Sequence, residues 1–342
     1  MVKGRESERV APLFHSLTLS HSALFHTLDV NGIQVAKRPS FPIQTPSLSM
    51  RTAVNGRGME AGMAPVVTDV LKQMRAAGLE PQLTSELAAW LKSCGHSVTD
   101  PVLPSGELSG KDLDLCIGLG GDGTLLDTVA LVGRAGIPVL GINLGRLGFL
   151  SNVRLEDVAP ALSALKDGRY ALQDRSLVEV VDQPELGANN FALNEVSIHK
   201  RDSASMISVH VDLGAHYLNT YWADGLIIAT PTGSTAYSLS CGGPILYPTS
   251  DAFVINPISP HNLNVRPFVV PDHYTIRLKL DARADLCLLN LDARSISIGG
   301  QSTVTIRRAP FTVKMVQLEE HDFLRTLRTK LNWGLDLRSG TK

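Results

Sequence analysis

The 342-residue chain has only four cysteines, few aromatic residues and a net charge of −1. The cysteines, Cys94, Cys116, Cys241 and Cys287, are scattered and form no C-x-x-C pair. This spacing argues against a disulfide framework or a zinc site and is typical of thiols in a reducing compartment. Because the charges are balanced and well mixed, no global basic field exists that would recruit nucleic acid or an acidic membrane.

Long apolar runs are also missing. No uninterrupted stretch approaches the ~18 residues that a membrane helix needs. The hydrophobic fraction of 44% and the charged fraction of 19% are those of an ordinary soluble globular protein. The length favours two domains. We therefore expect a cytoplasmic protein with neither a nucleic-acid nor a membrane partner.

Residues 1–49 differ in composition from the rest of the chain. Serine, histidine and proline are frequent there, and His15 and His21 interrupt the apolar residues. A secretory signal would have a cleaner apolar core, and a transit peptide is weakened by Glu6 and Glu8. We expect this segment to be a disordered extension, or a stretch upstream of a true start near Met50.

From Met50 the pattern alternates between strands and helices. The stretch Val66–Ala77 carries Val67, Val70, Leu71 and Met74 at the i, i+3, i+4, i+7 spacing of an amphipathic helix. Further helices are predicted at Ser85–Leu91, Thr124–Val132 and Glu156–Leu165, and a strand at Ile137–Ile142. Alternation at these lengths predicts an α/β, doubly wound, mostly parallel nucleotide-binding domain over residues 50–175.

The remainder of the chain, residues 176–319, consists mainly of short β-rich runs. Many of them alternate apolar and polar residues, which is typical of half-buried antiparallel strands. We therefore predict a β-rich, antiparallel, sandwich-like C-terminal domain. The last segment, residues 320–342, becomes helical again at His321–Trp333 and is expected to pack back on the first domain. The predicted strands are Leu177–Val181, Met206–Leu213, Tyr217–Trp222, Leu226–Thr230, Tyr274–Leu280, Leu286–Leu291, Ser295–Ile298, Thr303–Ile306 and Thr312–Leu318.

The most informative segment is residues 118–127, Gly-Leu-Gly-Gly-Asp-Gly-Thr-Leu-Leu-Asp. It joins an apolar run that predicts a buried strand to a predicted helix. Glycines let backbone N–H groups approach a phosphate closely, and a helix N-terminus directs unpaired N–H groups to the same place. The carboxylate of Asp122 would repel a phosphate there. Its presence is explained if it binds a metal ion, or if it aligns or deprotonates a substrate hydroxyl. Phosphoryl transfer is the first hypothesis.

The same glycines also fit the G-x-G-x-x-G spacing of a dinucleotide-binding turn. In a dehydrogenase, an acid about 20 residues later holds the ribose at the end of the next strand. Here the next predicted strand ends in Asn143-Leu144-Gly145-Arg146, with no acid in range. Hydride transfer loses most of its support.

Two further segments carry polar groups suited to a nucleotide. The stretch Asp224–Pro244 predicts a strand followed by a turn rich in hydroxyl groups, which suits ribose and phosphate oxygens, although a Ser/Thr turn that caps a helix is the structural alternative. Asn194-Glu195 follows three apolar residues. The pair is either a strand end that meets solvent or a site where Asn binds a base or sugar while Glu accepts from hydroxyls.

Together these motifs resemble those of the NAD kinase family, over essentially residues 50–338. The glycine-Asp motif alone is shared with lipid kinases of the diacylglycerol type and, loosely, with 6-phosphofructokinases, whereas Thr-Pro-Thr-Gly-Ser-Thr-Ala-Tyr-Ser is much more specific. The segments that carry the resemblance are Gly120–Thr124, Asn194-Glu195, Asp224–Pro244, Gly141–Leu150 and Leu327–Gly334.

The resemblance implies phosphorylation of the 2′-hydroxyl of the adenosine ribose of NAD by ATP, with Mg²⁺ or another divalent cation as cofactor. It makes Asp122 the residue that aligns the hydroxyl and accepts its proton, with Gly123 in close backbone contact. Asn194 and Glu195 would hold the adenosine side, and Asp224 the nicotinamide end across a subunit boundary of a homodimer or homotetramer. The other implied substrate- or nucleotide-binding residues are Gly120, Gly121, Ser205, Trp222, Thr235, Ala236, Tyr237, Ser238, Leu239, Ser240 and Arg294.

Several positions depart from the family pattern. Trp222 stands where many members have a basic residue, and Arg294 stands where a glutamine is common. Cys241 replaces an alanine, and Ser205 a histidine of some members. The alternatives to an NAD kinase are a lipid kinase on the same scaffold and a catalytically idle dinucleotide-binding or sensor protein, against which the intact Asp122 argues.

Overall fold

A computed structural model describes residues 49–106, 108, 110, 112–145, 148–151, 153–201, 206–283, 285–319 and 322–334. The extension predicted for residues 1–49, apart from Ser49, lies outside the described residues, as does Ser205. Among the residues that the structure describes, no helix is long and apolar enough to cross a membrane.

The first half of the chain forms a parallel βα unit. Its four strands lie in the order β2-β1-β3-β4 and pair in parallel. All five residues of β3 are buried, as expected for a strand with both faces covered. The elements are β1 (Met50–Asn55), α1 (Ala64–Ala76), β2 (Leu79–Leu83), α2 (Ser85–Ser93), β3 (Leu115–Leu119), α3 (Asp122–Val132), β4 (Val139–Ile142) and α4 (Val158–Lys166).

The second half is dominated by antiparallel strands. Its elements are β5 (Tyr170–Val180), β6 (Phe191–Ala192), β7 (Glu195–Lys200), β8 (Ile207–Leu213), β9 (His216–Ala223), β10 (Gly225–Ala229), α5 (Tyr237–Ser240), β11 (Ala252–Ile258), β12 (Phe268–Pro271), β13 (Ile276–Ala282), β14 (Leu286–Leu291), β15 (Arg294–Gly299), β16 (Thr303–Leu318) and α6 (Phe323–Leu331).

Two sheets result. The larger follows the order β2-β1-β3-β4-β16-β13-β8-β9, with β5 and β6 attached beside β16, and the smaller follows β12-β11-β10-β7-β14-β15. Buried side chains from both sheets, such as Ile198 and Ile228 from one and Val209 and Leu278 from the other, form a common core. The predicted fold class, a parallel-rich α/β unit followed by an antiparallel sandwich, is confirmed.

Strand β16 corrects one prediction. The sequence predicts two separate strands, Thr303–Ile306 and Thr312–Leu318, but they form one 16-residue strand with a register shift between Arg308 and Thr312. The intervening Arg307 and Arg308 belong to the strand, since they pair with Glu179 and Val178 of β5, and Pro310 falls within the register shift. Arg307 also forms an ion pair with Glu179 at 2.8 Å, and Arg308 forms one with Asp251 at 2.9 Å.

Strand β11 is absent from the predicted strands, because Pro257 argues against a central strand. In the structure β12 pairs only with residues Ala252–Ile255 of β11. Pro257 lies beyond the end of β12, so the N–H that proline lacks would have no partner in β12. Strand β12 at the edge of the smaller sheet and the Pro81-containing β2 were not predicted either.

The division of the chain into domains stays a prediction. Its boundary between residues 175 and 176 falls within β5, which pairs with β16 along most of its length. Helix α6, predicted over His321–Trp333, contacts residues of both halves of the chain. The Phe323 ring meets the Tyr247 ring at a centroid distance of 5.5 Å, and the Lys330 ammonium lies 5.9 Å from the Phe149 ring.

Candidate functional site

The glycine-rich turn connects β3 to α3. Gly120 has a φ of +152°, and a Cβ there would lie 2.3 Å from the Thr124 hydroxyl oxygen, so only glycine fits without strain. Gly121 is the N-cap of α3, which begins at Asp122, two residues before its predicted start. The turn therefore places the N–H groups of the first turn of α3 beside the Asp122 carboxylate.

Three backbone N–H groups fix that carboxylate. Phe149 donates to Oδ2 at 2.8 Å, while Leu150 and Ser151 donate to Oδ1 at 3.0 and 2.9 Å. A Cβ on Gly148 would lie 1.7 Å from Oδ1, so this loop approaches the carboxylate only because residue 148 is glycine. A carboxylate offers about four acceptor positions. Within the described part of the chain one position, on Oδ2, has no donor and is available to a ligand hydroxyl.

Asn194 and Glu195 lie where β6 turns into β7, and a second carboxylate holds this turn. Asp292 accepts hydrogen bonds from the N–H groups of Leu193, Asn194 and Glu195 at 2.9, 2.8 and 3.2 Å. It has a φ of +52°, a conformation that Asp adopts more readily than most residues. The sequence analysis did not predict this role of Asp292. The signal that could have indicated it was the position of an Asp between two predicted strands.

The polar ends of this pair are buried without protein partners. Among the residues that the structure describes, neither Asn194 Oδ1 nor Glu195 Oε2 has a hydrogen-bond partner. Burial, and secondarily the charge of Asp292, raise the pKa of the Glu195 carboxyl to about 8. A neutral carboxyl donates as well as accepts, so the pair offers both donors and acceptors to a ligand.

The hydroxyl-rich turn after β10 packs directly on Asn194. The Thr230 N–H donates to the Asn194 carbonyl at 2.8 Å, and its hydroxyl donates to the Leu193 carbonyl at 2.5 Å. A Cβ on Gly233 would lie 2.0 Å from the Asn194 carbonyl oxygen. The Ser234 hydroxyl is buried and accepts the Leu246 N–H at 2.9 Å. These hydroxyl groups hold the turn against the Asn194-Glu195 segment.

The exposure of the side chains varies along the segment from Thr235 to Ser240. Tyr237 and Ser240 are exposed, Thr235, Ala236 and Leu239 are partly exposed, and Ser238 is buried. The Tyr237 ring stacks on His199 at a centroid distance of 5.7 Å. Asn256 donates to the Ser238 carbonyl and hydroxyl at 2.8 and 3.1 Å, so Ser238 anchors the short helix α5.

The remaining predicted residues lie on other elements. Asp224, between β9 and β10, forms an ion pair of 2.5 Å with Lys200. Trp222 on the edge strand β9 is 46% exposed. The Arg294 guanidinium donates to the carbonyls of Asn189, at 2.6 Å, and Phe191, and lies 5.4 Å from the Phe191 ring. The site roles proposed for these residues stay predictions.

A cavity of about 460 Å³ opens beside the carboxyl ends of β1 and β2. In doubly wound sheets ligands bind where the strand order reverses, which here is between β1 and β3. Asn55 links the two sides, since it contacts Thr84 at 3.3 Å and donates to Thr128 at 3.0 Å. The lining combines apolar residues such as Leu108 and Leu131 with polar ones, which include Arg57, Ser85, Glu86, Ser105, Asp127 and Arg294.

The charges in this cavity are mixed. Arg57 pairs with Asp127 at 3.7 Å. Burial raises the pKa of the Asp127 carboxyl, and the negative charge of Glu86 adds to that effect. Among the described residues, no group of three or more His, Cys, Asp or Glu side chains could hold a metal ion. The described lining of this cavity offers a cation the carboxylates of Glu86 and Asp127.

Two family models match the chain. The ATP-NAD kinase N-terminal domain matches residues 96–170, and the ATP-NAD kinase C-terminal domain matches residues 193–318. An NAD kinase of Cytophaga hutchinsonii is 39% identical over 291 residues, which cover 84% of this chain and 99% of that protein. An NAD kinase of Flavobacterium psychrophilum is 40% identical over 296 residues, which cover 85% of this chain and 100% of that protein.

Solved structures share the fold. Yeast NADH kinase complexed with NADH has a TM-score of 0.72 at 24% identity, over 87% of this chain and 91% of that one. An NAD kinase from Archaeoglobus fulgidus in complex with ATP has a TM-score of 0.64 at 24% identity, over 83% of this chain and 99% of that one.

The raised pKa of Glu195 predicts a pH-dependent stability. Between about pH 4.5 and 8 the folded protein holds a proton that the unfolded chain has released, so the free energy of unfolding falls as pH rises through this window. Glu195→Gln cannot ionise and loses that slope. From pH 6 to 9 the parent should lose about 2 kcal/mol relative to Glu195→Gln, measured by urea unfolding.

The exposed Glu185 serves as a matched control, because Glu185→Gln makes the same chemical change in the same part of the chain. Its stability should follow that of the parent at both pH values. Equal pH slopes for the parent and Glu195→Gln would show that Glu195 is ionised in the folded protein.

Proposed function

This chain belongs to the NAD kinase family, and from that premise we propose that it transfers the γ-phosphoryl group of ATP to the 2′-hydroxyl of the adenosine ribose of NAD, giving NADP. The observation that carries the proposal is the Asp122 carboxylate, held by three backbone N–H groups beside a helix N-terminus with one acceptor position open. That position suits a substrate hydroxyl, and the N–H groups of the glycine turn suit the phosphoryl group that the hydroxyl attacks.

The acceptor NAD is proposed to bind against the Asn194-Glu195 turn. The buried, unpartnered oxygens of these two residues would pair with donors of the adenosine moiety, and a protonated Glu195 would donate one bond. Thr235 to Ser240 would line the pocket, with Tyr237 against a base. Asp224 is proposed for the nicotinamide end, as the family resemblance implies. Ser205, Trp222 and Arg294 are proposed as nucleotide-binding residues, with Arg294 in the place of a glutamine ligand.

The chemical step needs positioning more than strong base catalysis. The 2′-oxygen forms a bond to the γ-phosphorus while the bond from that phosphorus to the β–γ bridging oxygen breaks, and ADP leaves. Because the transition state is loose, the hydroxyl loses its proton late. We propose that Asp122 Oδ2 orients the hydroxyl and takes that proton, while the N–H groups at Gly121 and Gly123 bind the transferring oxygens. The Gly120 N–H donates to the Ile142 carbonyl at 2.9 Å and holds the turn on the sheet.

The donor is proposed to occupy the cavity at the ends of β1 and β2. Arg57, Ser85 and Ser105 supply donors for phosphate oxygens. Mg²⁺ prefers hard oxygen ligands and is commonly bound by one or two carboxylates plus substrate phosphates. Glu86 and Asp127 fit that pattern and would hold the ion that arrives with ATP. When bound, Mg²⁺ neutralises phosphate charge.

We propose a cytoplasmic homodimer or homotetramer. The four cysteines are all free, in keeping with a reducing compartment. The edge strand β9 exposes Tyr217 by 64% and Trp222 by 46%. Aromatic side chains of this kind are enriched in the buried parts of interfaces.

The first experiment measures NADP formed from NAD and ATP with Mg²⁺, read by an NADP-specific dehydrogenase. The parent should be active, and Asp122→Asn should lower kcat by at least about 100-fold, because an amide cannot take the proton. Asp69→Asn, on the exposed face of α1, makes the same change outside the site and should keep parental activity.

A folded parent that binds NAD but forms no NADP, with ATP or with polyphosphate, would favour the sensor alternative. Phosphorylation of a diacylglycerol in place of NAD would favour the lipid kinase.

The Asp122 geometry can be tested through its neighbour. Gly148→Ala places a methyl group 1.7 Å from Oδ1, which must displace either the loop or the carboxylate. We expect kcat to fall by at least about tenfold, in line with the loss of transition-state positioning. A Cβ on Gly145, in the same segment, meets nothing within 4 Å, so Gly145→Ala is the matched control. Equal loss in both variants would attribute the effect to the backbone of the segment.

The dependence on a divalent cation has a simple test. Excess chelator should abolish NADP formation by the parent and leave NAD binding, measured by calorimetry, unchanged, because the ion is proposed to enter with ATP. Measurable turnover in excess chelator would refute the Mg²⁺ requirement.

A further inference from the structure

Arg175 on β5 is a buried cation with unusually few partners. The residue is 8% exposed, and its Nη1 donates to the Thr232 hydroxyl at 3.2 Å. Its Nε is buried without a hydrogen-bond partner among the described residues, none of which forms an ion pair with it. Burial lowers the pKa of its guanidinium to about 10, so the group stays charged at neutral pH.

Such a charge is costly to bury. A contrast within the same protein is the buried Glu179, which lies between Arg134 and Arg307 at 3.5 and 2.8 Å. There the chain supplies two counter-charges to one buried carboxylate. At Arg175 the described part of the chain supplies only the Thr232 hydroxyl. The positive charge of the guanidinium is therefore not neutralised there and is available for a function.

The surroundings of Arg175 connect it to both parts of the proposed site, the loop that binds Asp122 and the turn that packs on Asn194. It lines a cavity of about 20 Å³ with Phe149 and Leu150, whose N–H groups bind the Asp122 carboxylate. Its partner Thr232 directly precedes Gly233, which contacts the Asn194 backbone. A cavity of this size has room for one water molecule and excludes a phosphate. Arg175 therefore acts from beneath the site, without touching a substrate.

The other described residues that line this cavity carry no charge. They are Gly141 of β4, Met315, Val316 and Gln317 of β16, and Phe323 and Thr326 of α6. The titratable group that acts on it is the Tyr247 phenol, which raises the pKa of the Arg175 guanidinium. The field of the guanidinium in this low-dielectric region is thus little screened.

We propose that Arg175 is a positioning residue whose fixed positive charge stabilises the negative charge of the transferring phosphoryl group, from beneath the loop of Phe149 to Ser151 and the turn at Thr232. The inference rests on the proposed kinase function. The sequence contains no Walker lysine to neutralise the phosphates, and a preorganised charge supplies that stabilisation without reorganisation during the reaction.

Three variants separate charge from packing. Arg175→Met keeps most of the volume and removes the charge, and kcat should fall about tenfold while the KM for NAD stays within about twofold. Arg175→Lys keeps a charge that buried lysines lose readily, since burial lowers their pKa. Thr232→Val removes the hydrogen bond and leaves the guanidinium charged.

The decisive readout is the ratio of the parental kcat to that of each variant between pH 6 and 9. For Arg175→Lys the ratio should rise by about tenfold as the lysine deprotonates, whereas for Thr232→Val and the exposed control Arg169→Met it should stay constant. Melting temperatures report folding. If Arg175→Met does not fold, the pH series of Arg175→Lys decides.

Two results would overturn the inference. One is a kcat of Arg175→Met equal to that of the parent, and the other is a ratio of parental kcat to Arg175→Lys kcat that does not change with pH. An inactive parent would instead overturn the proposed function, which is measured first. An active parent with a constant Arg175→Lys ratio would leave the kinase in place and remove only the role of Arg175.

Discussion

Backbone N–H groups that converge on carboxylates organise the candidate site. Asp122 receives three consecutive N–H groups, from Phe149 to Ser151, and Asp292 receives three more, from Leu193 to Glu195. Hydrogen bonds to an ionised acceptor are roughly twice as strong as neutral ones. One carboxylate is thereby fixed beside the glycine-rich turn, and the other shapes the turn of Leu193 to Glu195. Both arrangements depend on backbone positions that tolerate few substitutions.

The site is built from several separate segments that contact one another closely. The turn after β10 contacts the Asn194 backbone through Gly233, and Arg175 on β5 reaches the same turn through Thr232. The loop of Phe149 to Ser151 joins Arg175 to Asp122. Because these contacts are short and buried, the geometry of one segment determines that of the next. The site gains its rigidity from this sequence of contacts.

Much of the fold follows from local patterns in the sequence. The i, i+3, i+4, i+7 spacing of α1 and the strict alternation in β13 are visible without a structure, because one face of each element is buried. The glycine turn and the importance of Asp122 are equally visible. The continuity of β16 was not, since Pro310 interrupts the strand pattern and the pairing of Arg307 and Arg308 with β5 is not visible in the sequence.

The missed parts of the site have the same cause. Asp292 lies 97 or more residues from the N–H groups that it binds, and Arg175 is 57 residues from Thr232. A single sequence carries no sign of such pairings. The close approach of Gly148 to Asp122 was also invisible, because a glycine in a loop predicts flexibility as readily as a tight contact.

The position of β16 also bears on how the protein is made. This strand is the last in the chain, yet it lies between β4 and β13 in the middle of the larger sheet. During synthesis β4 is complete roughly 170 residues before the β16 residue that pairs with it, which at typical ribosomal rates is about 10 to 30 seconds. For that time β4 presents an unpaired edge to other nascent chains. The larger sheet therefore cannot close until β16 has been synthesised.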